Sequence, residues 1–200
     1  MATDAKRVLT GAPDQLTTGA IWSGPPMLPF TDPTDPFVAT LPQNFKDGGY
    51  VGEDGITLAL NRSTADIKDW NGDIVRKIIE EFSGTLTYQH LEFSEFALGE
   101  TFGTANISQL KAATTSAGKQ SKIKLNADEL PRRARWFRMK DGNARVVILA
   151  PNSQVTEIGD ISFVKTDAIR LENTVSCYPD NHGNSLYIYL DDGVYTGSGA

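Results

Sequence analysis

The sequence has little of what metal sites and disulfide-stabilised folds need. Its 200 residues include one cysteine, Cys177, and two histidines, His90 and His182. A single cysteine excludes both an intrachain disulfide and a cluster of thiolate ligands. Two histidines are too few for most histidine-based metal sites. We therefore expect no metal and no cofactor.

Long apolar runs are also missing. No stretch approaches the roughly 20 consecutive apolar residues that a membrane-spanning helix needs. Residues 1–7 lack the apolar centre of a secretory signal peptide. We expect a protein that is made and kept in a cytoplasm and has no membrane partner.

What is present fits an ordinary folded chain with an acidic surface. Hydrophobic residues make up 40% of the sequence and charged residues 22%, values that indicate a globular protein with a core. The net charge of −6 disfavours general binding to nucleic acid, because like charges repel. Neither a shift in composition nor an internal repeat marks a boundary. We therefore expect one domain over residues 1–200.

The N-terminal segment is marked by its prolines. Residues 1–47 contain seven of the ten prolines, which are excluded from helix interiors and central strands. This composition predicts a long extended arm, with short strands at 8–11 and 20–22 and a loop-like cover at 24–36. At the other end of the chain, residues 197–200 are small and polar, and we expect them to be disordered.

The central stretch, residues 48–103, combines strands, a polar segment and a short helix. An apolar strand leads into polar residues 61–73, which predict a projecting loop. Further on, Ser94 is a suitable N-cap and Gly103 a suitable terminator for a helix over residues 94–102.

Residues 74–91 give conflicting signals. The second half, residues 84–91, is rich in threonine and aromatic residues and favours a strand. No turn residue separates it from the first half, whose apolar residues recur at helical spacing. This apolar set comprises Ile74, Val75, Ile78, Ile79 and Phe82. The residues alone leave helix and strand open for 74–82.

The C-terminal half is predicted to be rich in strands. Residues 104–121 are small and polar and indicate a flexible or partly helical loop. Beyond them, turn residues at 141–143 and 179–183 separate short strands. The strands are predicted at 121–126, 133–139, 144–150, 155–158, 168–178 and 186–190. Short strands with one helix indicate a mainly β fold, a β-sandwich or barrel with one short packed α-helix.

The residues that could carry catalysis do not form a coherent site. Cys177 and His182 are five residues apart, but a strand-end cysteine and a turn histidine explain them better than a nucleophile and its base. Residues 191–193, Asp-Asp-Gly, fit a solvated turn better than a cation site. Paired glutamates are common on exposed faces; the pairs here are Glu80 with Glu81 and Glu92 with Glu95. We expect no catalytic residue and no enzyme activity.

One basic segment, Arg132–Lys140, has the composition of a nucleic-acid-binding strip. Its five cations are interleaved with Trp136 and Phe137. In a strand, however, the cations divide between the two faces, which weakens the case for one binding groove. A charge-protected edge strand and a strand facing acidic patches of another subunit are the alternatives.

Several motifs in the first half of the chain occur in a specific order. Residues 49–55 read Gly-Tyr-Val-Gly-Glu-Asp-Gly, and residues 66–72 read Asp-Ile-Lys-Asp-Trp-Asn-Gly. Upstream lies Thr-Gly-Ala-Ile at 18–21, followed by the proline-rich stretch. This combination, over residues 6–103, resembles the major tail proteins of long-tailed, non-contractile bacteriophages (siphovirus type), which are tail tube subunits. It is most similar to those of phages that infect actinobacteria.

The resemblance implies a phage tail tube fold, a β-sandwich or barrel with a packed helix and a long projecting loop at 54–73. Six subunits would close a ring, and one sheet of each would join a continuous barrel around a lumen. Rings would stack through the loop, and the arm at 1–47 would add contacts between subunits. In the family, the stretch after the loop is a strand, so the resemblance assigns 74–91 to extended structure.

The resemblance also implies a structural virion protein of the tail, assembled in the host cytoplasm, whose tube conducts DNA during genome ejection. Its partners would be copies of itself, the tape-measure protein, tail assembly chaperones, the tail terminator and distal tail proteins. An acidic lumen would let DNA pass without sticking; we therefore expect it to be lined by some of Glu80, Glu81, Glu92 and Glu95. The alternatives are another ring- or tube-forming tail component, such as a tail terminator or a contractile-system inner tube subunit, and a nucleic-acid-binding module that uses Arg132–Lys140.

Overall fold

The computed structural model describes residues 8–14 and 19–195, where the chain forms ten β-strands and one α-helix. The tail predicted at 197–200 and part of the arm lie outside these residues. None of the helices in the described ranges has the length and apolarity to cross a bilayer. The elements are β1 Ile21–Gly24, β2 Lys46–Asp47, β3 Val51–Lys68, β4 Ile74–His90, α1 Glu95–Phe102, a 3-10 turn Thr104–Asn106, β5 Ile107–Lys111, β6 Gln120–Ile123, β7 Arg133–Asp141, β8 Ala144–Ile158, β9 Leu171–Cys177 and β10 Tyr187–Asp191.

The main sheet is antiparallel and runs in the order β2-β1-β7-β8-β9-β4-β3, with β10 paired to β8. β8 changes partners along its length. Residues 145–149 lie between β7 and β10, whereas residues 153–158 pair with β9. Pro151 lies at the changeover, where its missing N–H interrupts the ladder. The sheet therefore divides into two halves, and the predicted sandwich-like, mainly β fold is confirmed.

The core lies between these two halves. Buried apolar side chains from five strands meet there, and they include Ile21, Leu86, Phe137, Ile148 and Val175. Burial of each such side chain stabilises the fold by roughly 1.5–3 kcal/mol. The alternation of buried and exposed residues along β9 and the second half of β4 follows from one face being in this core.

The proline-rich segment covers the opposite face of β1, β7 and β8. Trp22 and Trp136 lie on that face, and Phe30 packs over them in a buried cluster. The segment also packs Met27, Phe37, Val38, Leu41 and Phe45 against this cluster. The loop-like cover predicted at 24–36 is confirmed, as is a strand at Ile21. The strand predicted at 8–11 is wrong, because Pro13 beside it supports only an isolated bridge to Met139.

The predicted helix is confirmed together with both of its ends. Ser94 is the N-cap, and its Oγ accepts a hydrogen bond from the N–H of Ala97 at 3.2 Å. Gly103 ends the helix at φ 86°, in the left-handed region that favours glycine, and its N–H donates to the carbonyl of Gly99. Ala97 and Leu98 pack on Leu171 of β9.

Residues 74–90 form strand β4, so the assignment to extended structure is confirmed and the helical spacing was misleading. The cause is a β-bulge. Ser63 pairs with Glu81, but the next residue, Thr64, pairs with Ile79, which leaves Glu80 as an extra residue. The bulge places Ile79 and Phe82 on one face of the strand, although a spacing of three residues is typical of a helix.

Four other sequence predictions need correction. The projecting loop predicted at 54–73 is a strand as far as Lys68, because its polar residues pair in register with β4. Residues 104–121 contain β5 and the start of β6, which form a separate hairpin instead of a loop. The strand predicted at 155–158 is the continuation of β8. The turn predicted at 179–183 does not join a hairpin, since β9 and β10 both pair with β8.

Candidate assembly interface

The β3–β4 hairpin extends well beyond the body of the protein. β9 pairs with β4 only between Gly84 and His90. Farther out, residues 61–83 pair only with each other across the hairpin in the part of the chain that the structure describes, and most of them are exposed. A two-stranded ribbon of this kind is marginally stable on its own, so a further surface is needed to stabilise it.

A short polar turn closes the tip of the hairpin. The Asp69 carboxylate accepts hydrogen bonds from the N–H groups of Asn71 at 2.9 Å and Asp73 at 2.8 Å. Gly72 has φ 92°, which a residue with a Cβ adopts only with strain. Trp70 projects from this turn and is fully exposed. The sequence motif around Asp69 therefore builds a hydrogen-bonded turn that presents one aromatic side chain.

One face of the hairpin continues the protein core into solvent. Leu58 and Leu86 are opposite each other on the core side, and each second pair farther out projects on that same side. Its apolar members are Leu60, Phe82, Ile79 and Ile74, with exposed fractions of 57%, 46%, 60% and 52%. We call these four residues the apolar row. Soluble monomers rarely leave such a surface uncovered, so the row indicates an interaction site.

The inner part of the hairpin belongs to a four-stranded sheet, formed by the end of β8 with β9, β4 and β3. Its outer face carries small hydroxyl and amide side chains that bond across the strands. Thr87 and Thr174 are 3.0 Å apart between hydroxyl oxygens, and Thr156 and Ser176 are 2.9 Å apart. Gln89 donates to Glu172 at 2.6 Å. We call this surface the hydroxyl face.

Both outer edges of this four-stranded sheet lack a partner strand. No strand in the described ranges pairs with the outer edge of β3, and none pairs with the other edge of β8 beyond Ser153. Unpaired edges present rows of N–H and C=O groups that template strand addition. The two edges flank one sheet, so a second copy could pair with either of them.

The basic segment Arg132–Lys140 is not a binding strip, because β7 lies between β1 and β8 and buries its central cations. Arg135 donates to Glu100 at 2.9 Å, to Tyr88 OH at 3.1 Å and to Ser153 at 2.9 Å. On the other face, Arg138 pairs with Asp14 at 2.9 Å. The predictions of a nucleic-acid surface and of a charge-protected edge strand here are both wrong.

The buried charges are balanced locally. Glu100 of α1 also binds the Nε of Arg133 at 3.0 Å and accepts from Ser23 at 2.9 Å. Burial would lower the pKa of Arg135, but the neighbouring Tyr88 and Glu100 outweigh it and raise that pKa. The same burial raises the pKa of Tyr88. These cations attach α1 to the sheet.

The side chains that could have carried catalysis have structural roles. Cys177 is buried in the core, where desolvation raises the pKa of its thiol to about 12. Asp191 and Asp192 accept hydrogen bonds from the N–H groups of Gly193 and Val194, as in a solvated turn. No group of three or more potential metal ligands occurs among residues 8–14 and 19–195.

The four glutamates considered for an acidic lumen lie in different places. Glu80 and Glu81 are at the bulge of the hairpin, and both are exposed. Glu92 accepts from the N–H of Tyr50 at 3.1 Å, and Glu95 pairs with Lys119. Only Glu81, opposite Ser63, is on the side of the sheet that carries the hydroxyl face. The carboxylate of Glu172 is on that face as well, and sequence reasoning missed it because a single glutamate in a strand carries no signal.

Comparison with known proteins gives one family. A family model described as phage tail tube protein matches residues 1–197. No curated protein sequence matches the chain. Among solved structures, the chain is similar to the tube-terminating cap of the anti-feeding prophage, at 12% identity and a TM-score of 0.48, covering 92% of this chain and 94% of that one.

Two chains from an extracellular contractile injection system, PVC, are also similar. One is from its sheath/tube terminator in the extended state, at 12% identity and a TM-score of 0.40, with coverage of 70% of this chain and 89% of that one. The other is from its sheath–tube complex in the extended state, at 15% identity and a TM-score of 0.40, with coverage of 70% and 84%.

Proposed function

Since the chain belongs to the phage tail tube protein family and is a structural component of a phage tail, we propose that it is the subunit whose rings stack into the tube of a non-contractile tail. The tube serves as the conduit for DNA during genome ejection. The observation that carries this proposal is the apolar row on the projecting hairpin, which continues the core yet leaves its four side chains 46–60% exposed. In the tube, a second copy of the chain packs against these side chains.

Ring closure uses the four-stranded sheet. The free edge of β3 in one subunit pairs with the free edge of β8 in the next, so that every subunit adds the same four strands. A contact between two different surfaces closes into a ring when the rotation fits, and we propose six subunits. Closure also removes the exposed edges, which are otherwise an aggregation hazard.

The hydroxyl face lines the lumen. Threonine and serine side chains are already bonded to one another there, and the carboxylates on that side include Glu81 and Glu172. The carboxylates of this wall repel the phosphates of DNA. DNA therefore moves past it without binding. We expect Glu81 and Glu172 to have this role, because they are on this side of the sheet.

The outer part of the hairpin contacts the next ring. Its tip and the apolar row together give the length and the surface for a contact between stacked rings. The tube surrounds the tape-measure protein, and its ends meet the tail terminator and distal tail proteins. Assembly takes place in the host cytoplasm, with tail assembly chaperones.

Electron microscopy of the concentrated protein, with two single variants, tests this function. Phe82→Asp places a charge in the apolar row, and Phe163→Asp places the same charge on an exposed phenylalanine outside the hairpin. We expect tubes from the wild type and from Phe163→Asp. We expect a folded monomer from Phe82→Asp, with an unchanged circular dichroism spectrum.

The outcomes are distinct. Rings that never stack would indicate a terminator. A wild type that stays monomeric at every concentration would contradict self-assembly. Tubes of normal length from Phe82→Asp would contradict the role of the apolar row.

A further inference from the structure

The β5–β6 hairpin is a separate, basic element in an acidic protein. Residues 104–127 contain four lysines and neither aspartate nor glutamate, whereas the whole chain has a net charge of −6. The hairpin forms its own two-stranded sheet and pairs with no strand of the main sheet. It touches the body through Ile107 and Ile123, which pack on α1 and Leu171.

Three of the lysines are available to a partner. Lys111, Lys122 and Lys124 are exposed and form no ion pair with any residue in the described ranges, whereas Lys119 pairs with Glu95. Lys122 is opposite Ser108, and Lys111 is opposite Gln120. Alternation in the strand puts these two pairs on the face opposite Ile107 and Ile123, with Lys124 in line after Lys122. Leu110 is 61% exposed beside them.

A hairpin with this charge pattern cannot dock against itself. A two-fold contact would bring the same lysines of two copies together, and like charges repel. The surface that fits it is acidic, and the rest of this chain supplies such a surface, because it carries all of the carboxylates. In a polymer of identical subunits, a basic surface on one copy meets an acidic surface on the next.

We propose that the β5–β6 hairpin binds head-to-tail to a carboxylate-rich surface of a second copy of this chain, and that this contact gives the polymer its direction. The proposal rests on the function proposed above. In the described residues, the two strands of the hairpin pair only with each other, so the contact with a second copy stabilises them. It is separate from the apolar row, which is on β3 and β4.

The test measures self-association by sedimentation velocity at about 0.05 M and about 0.5 M NaCl, since salt screens exposed charge pairs. The test variant is Lys122→Glu with Lys124→Glu. The control is Lys46→Glu with Lys165→Glu, which changes the net charge equally at two exposed lysines outside the hairpin. For the wild type and the control, we expect association to weaken at the higher salt. For the test variant, we expect the concentration needed for assembly to rise by about tenfold at low salt, with the salt dependence lost.

Other outcomes overturn the proposal. If the test variant assembles like the control, the hairpin is not in the contact. If the wild type forms tubes whose assembly does not depend on salt, the contact is not electrostatic, yet the proposed function stands. If the wild type never associates, the proposed function fails as well. If the hairpin variant loses a salt-dependent retention of duplex DNA on filters but assembles normally, the partner is nucleic acid.

Discussion

Glu100 of α1 and Arg135 of β7 form a buried ion pair, with 2.9 Å between Oε2 and Nη2 and 1% exposure of each side chain. The two residues are joined to Arg133, Ser23, Tyr88 and Ser153 in one hydrogen-bonded group. This group holds α1 on the sheet together with the apolar contacts of Ala97 and Leu98.

Replacement of Glu100 by glutamine will destabilise the protein strongly. The change leaves two guanidinium groups, those of Arg133 and Arg135, without a countercharge in the interior. We expect a loss of about 3–5 kcal/mol in the free energy of unfolding, measured by urea denaturation. Glu95→Gln is the matched control, because its pair with Lys119 is exposed, and there we expect about 0–1 kcal/mol. Equal losses in the two variants would contradict the role of the buried pair.

Stability will fall in mild acid because of His90. Its Nδ1 lies 3.0 Å from the carbonyl of Gly48 and donates to it, while Nε2 is buried without a hydrogen-bond partner in the described ranges. Burial lowers the pKa of His90 below its usual value of 6.5, although Glu100 acts in the opposite direction. As the pH falls below 6.5, His90 therefore binds a proton in the unfolded chain at a higher pH than it does in the folded protein.

This linkage fixes the direction of the pH effect. The contribution of His90 to stability is complete above pH 6.5 and decreases as the pH falls below it, by at most about 1.4 kcal/mol per pH unit. Urea denaturation at several pH values should show a steeper loss for the wild type than for His90→Gln. Parallel pH curves would contradict the assignment. An NMR titration of the wild-type histidines gives an independent measurement of this pKa.

Cys177 will be inert in the folded protein. Its thiol is buried and its pKa is raised to about 12, so that almost no thiolate is present at neutral pH. We expect no reaction with a chromogenic disulfide reagent until urea unfolds the protein. An added cysteine in the exposed turn between β5 and β6, Ser116→Cys, should react at once with one equivalent. Rapid reaction of the wild type would contradict the burial of Cys177.

The outer hairpin will exchange its amide hydrogens quickly in the free subunit. Within the described ranges, the strands over residues 61–82 pair with no strand outside the hairpin, so local opening costs little free energy. Hydrogen exchange followed by mass spectrometry should show fast labelling there, and slow labelling at Gly84–His90, which β9 covers. In assembled tubes, the outer hairpin should become protected. Unchanged labelling after assembly would mean that it contacts no neighbour.

The sequence by itself determined the elements that local chemistry controls. Ser94 and Gly103 set the ends of α1 because capping needs only neighbouring backbone groups. The Asp-Gly-Asn turn between β7 and β8 forms as predicted, with Gly142 at φ 60°, and the prolines between residues 25 and 42 keep that stretch out of helices and strands. The ordered motifs at 49–55 and 66–72 indicated the family to which the chain belongs.

Only the tertiary structure decided which side chains meet. Arg135 and Arg138 read as surface cations, but they are buried because β7 is a central strand whose two faces are both covered. The spacing of Ile79 and Phe82 indicated a helix, and the bulge at Glu80 turned it into one face of a strand. A periodicity argument assumes an unbroken ladder, and one extra residue reverses every side chain beyond it.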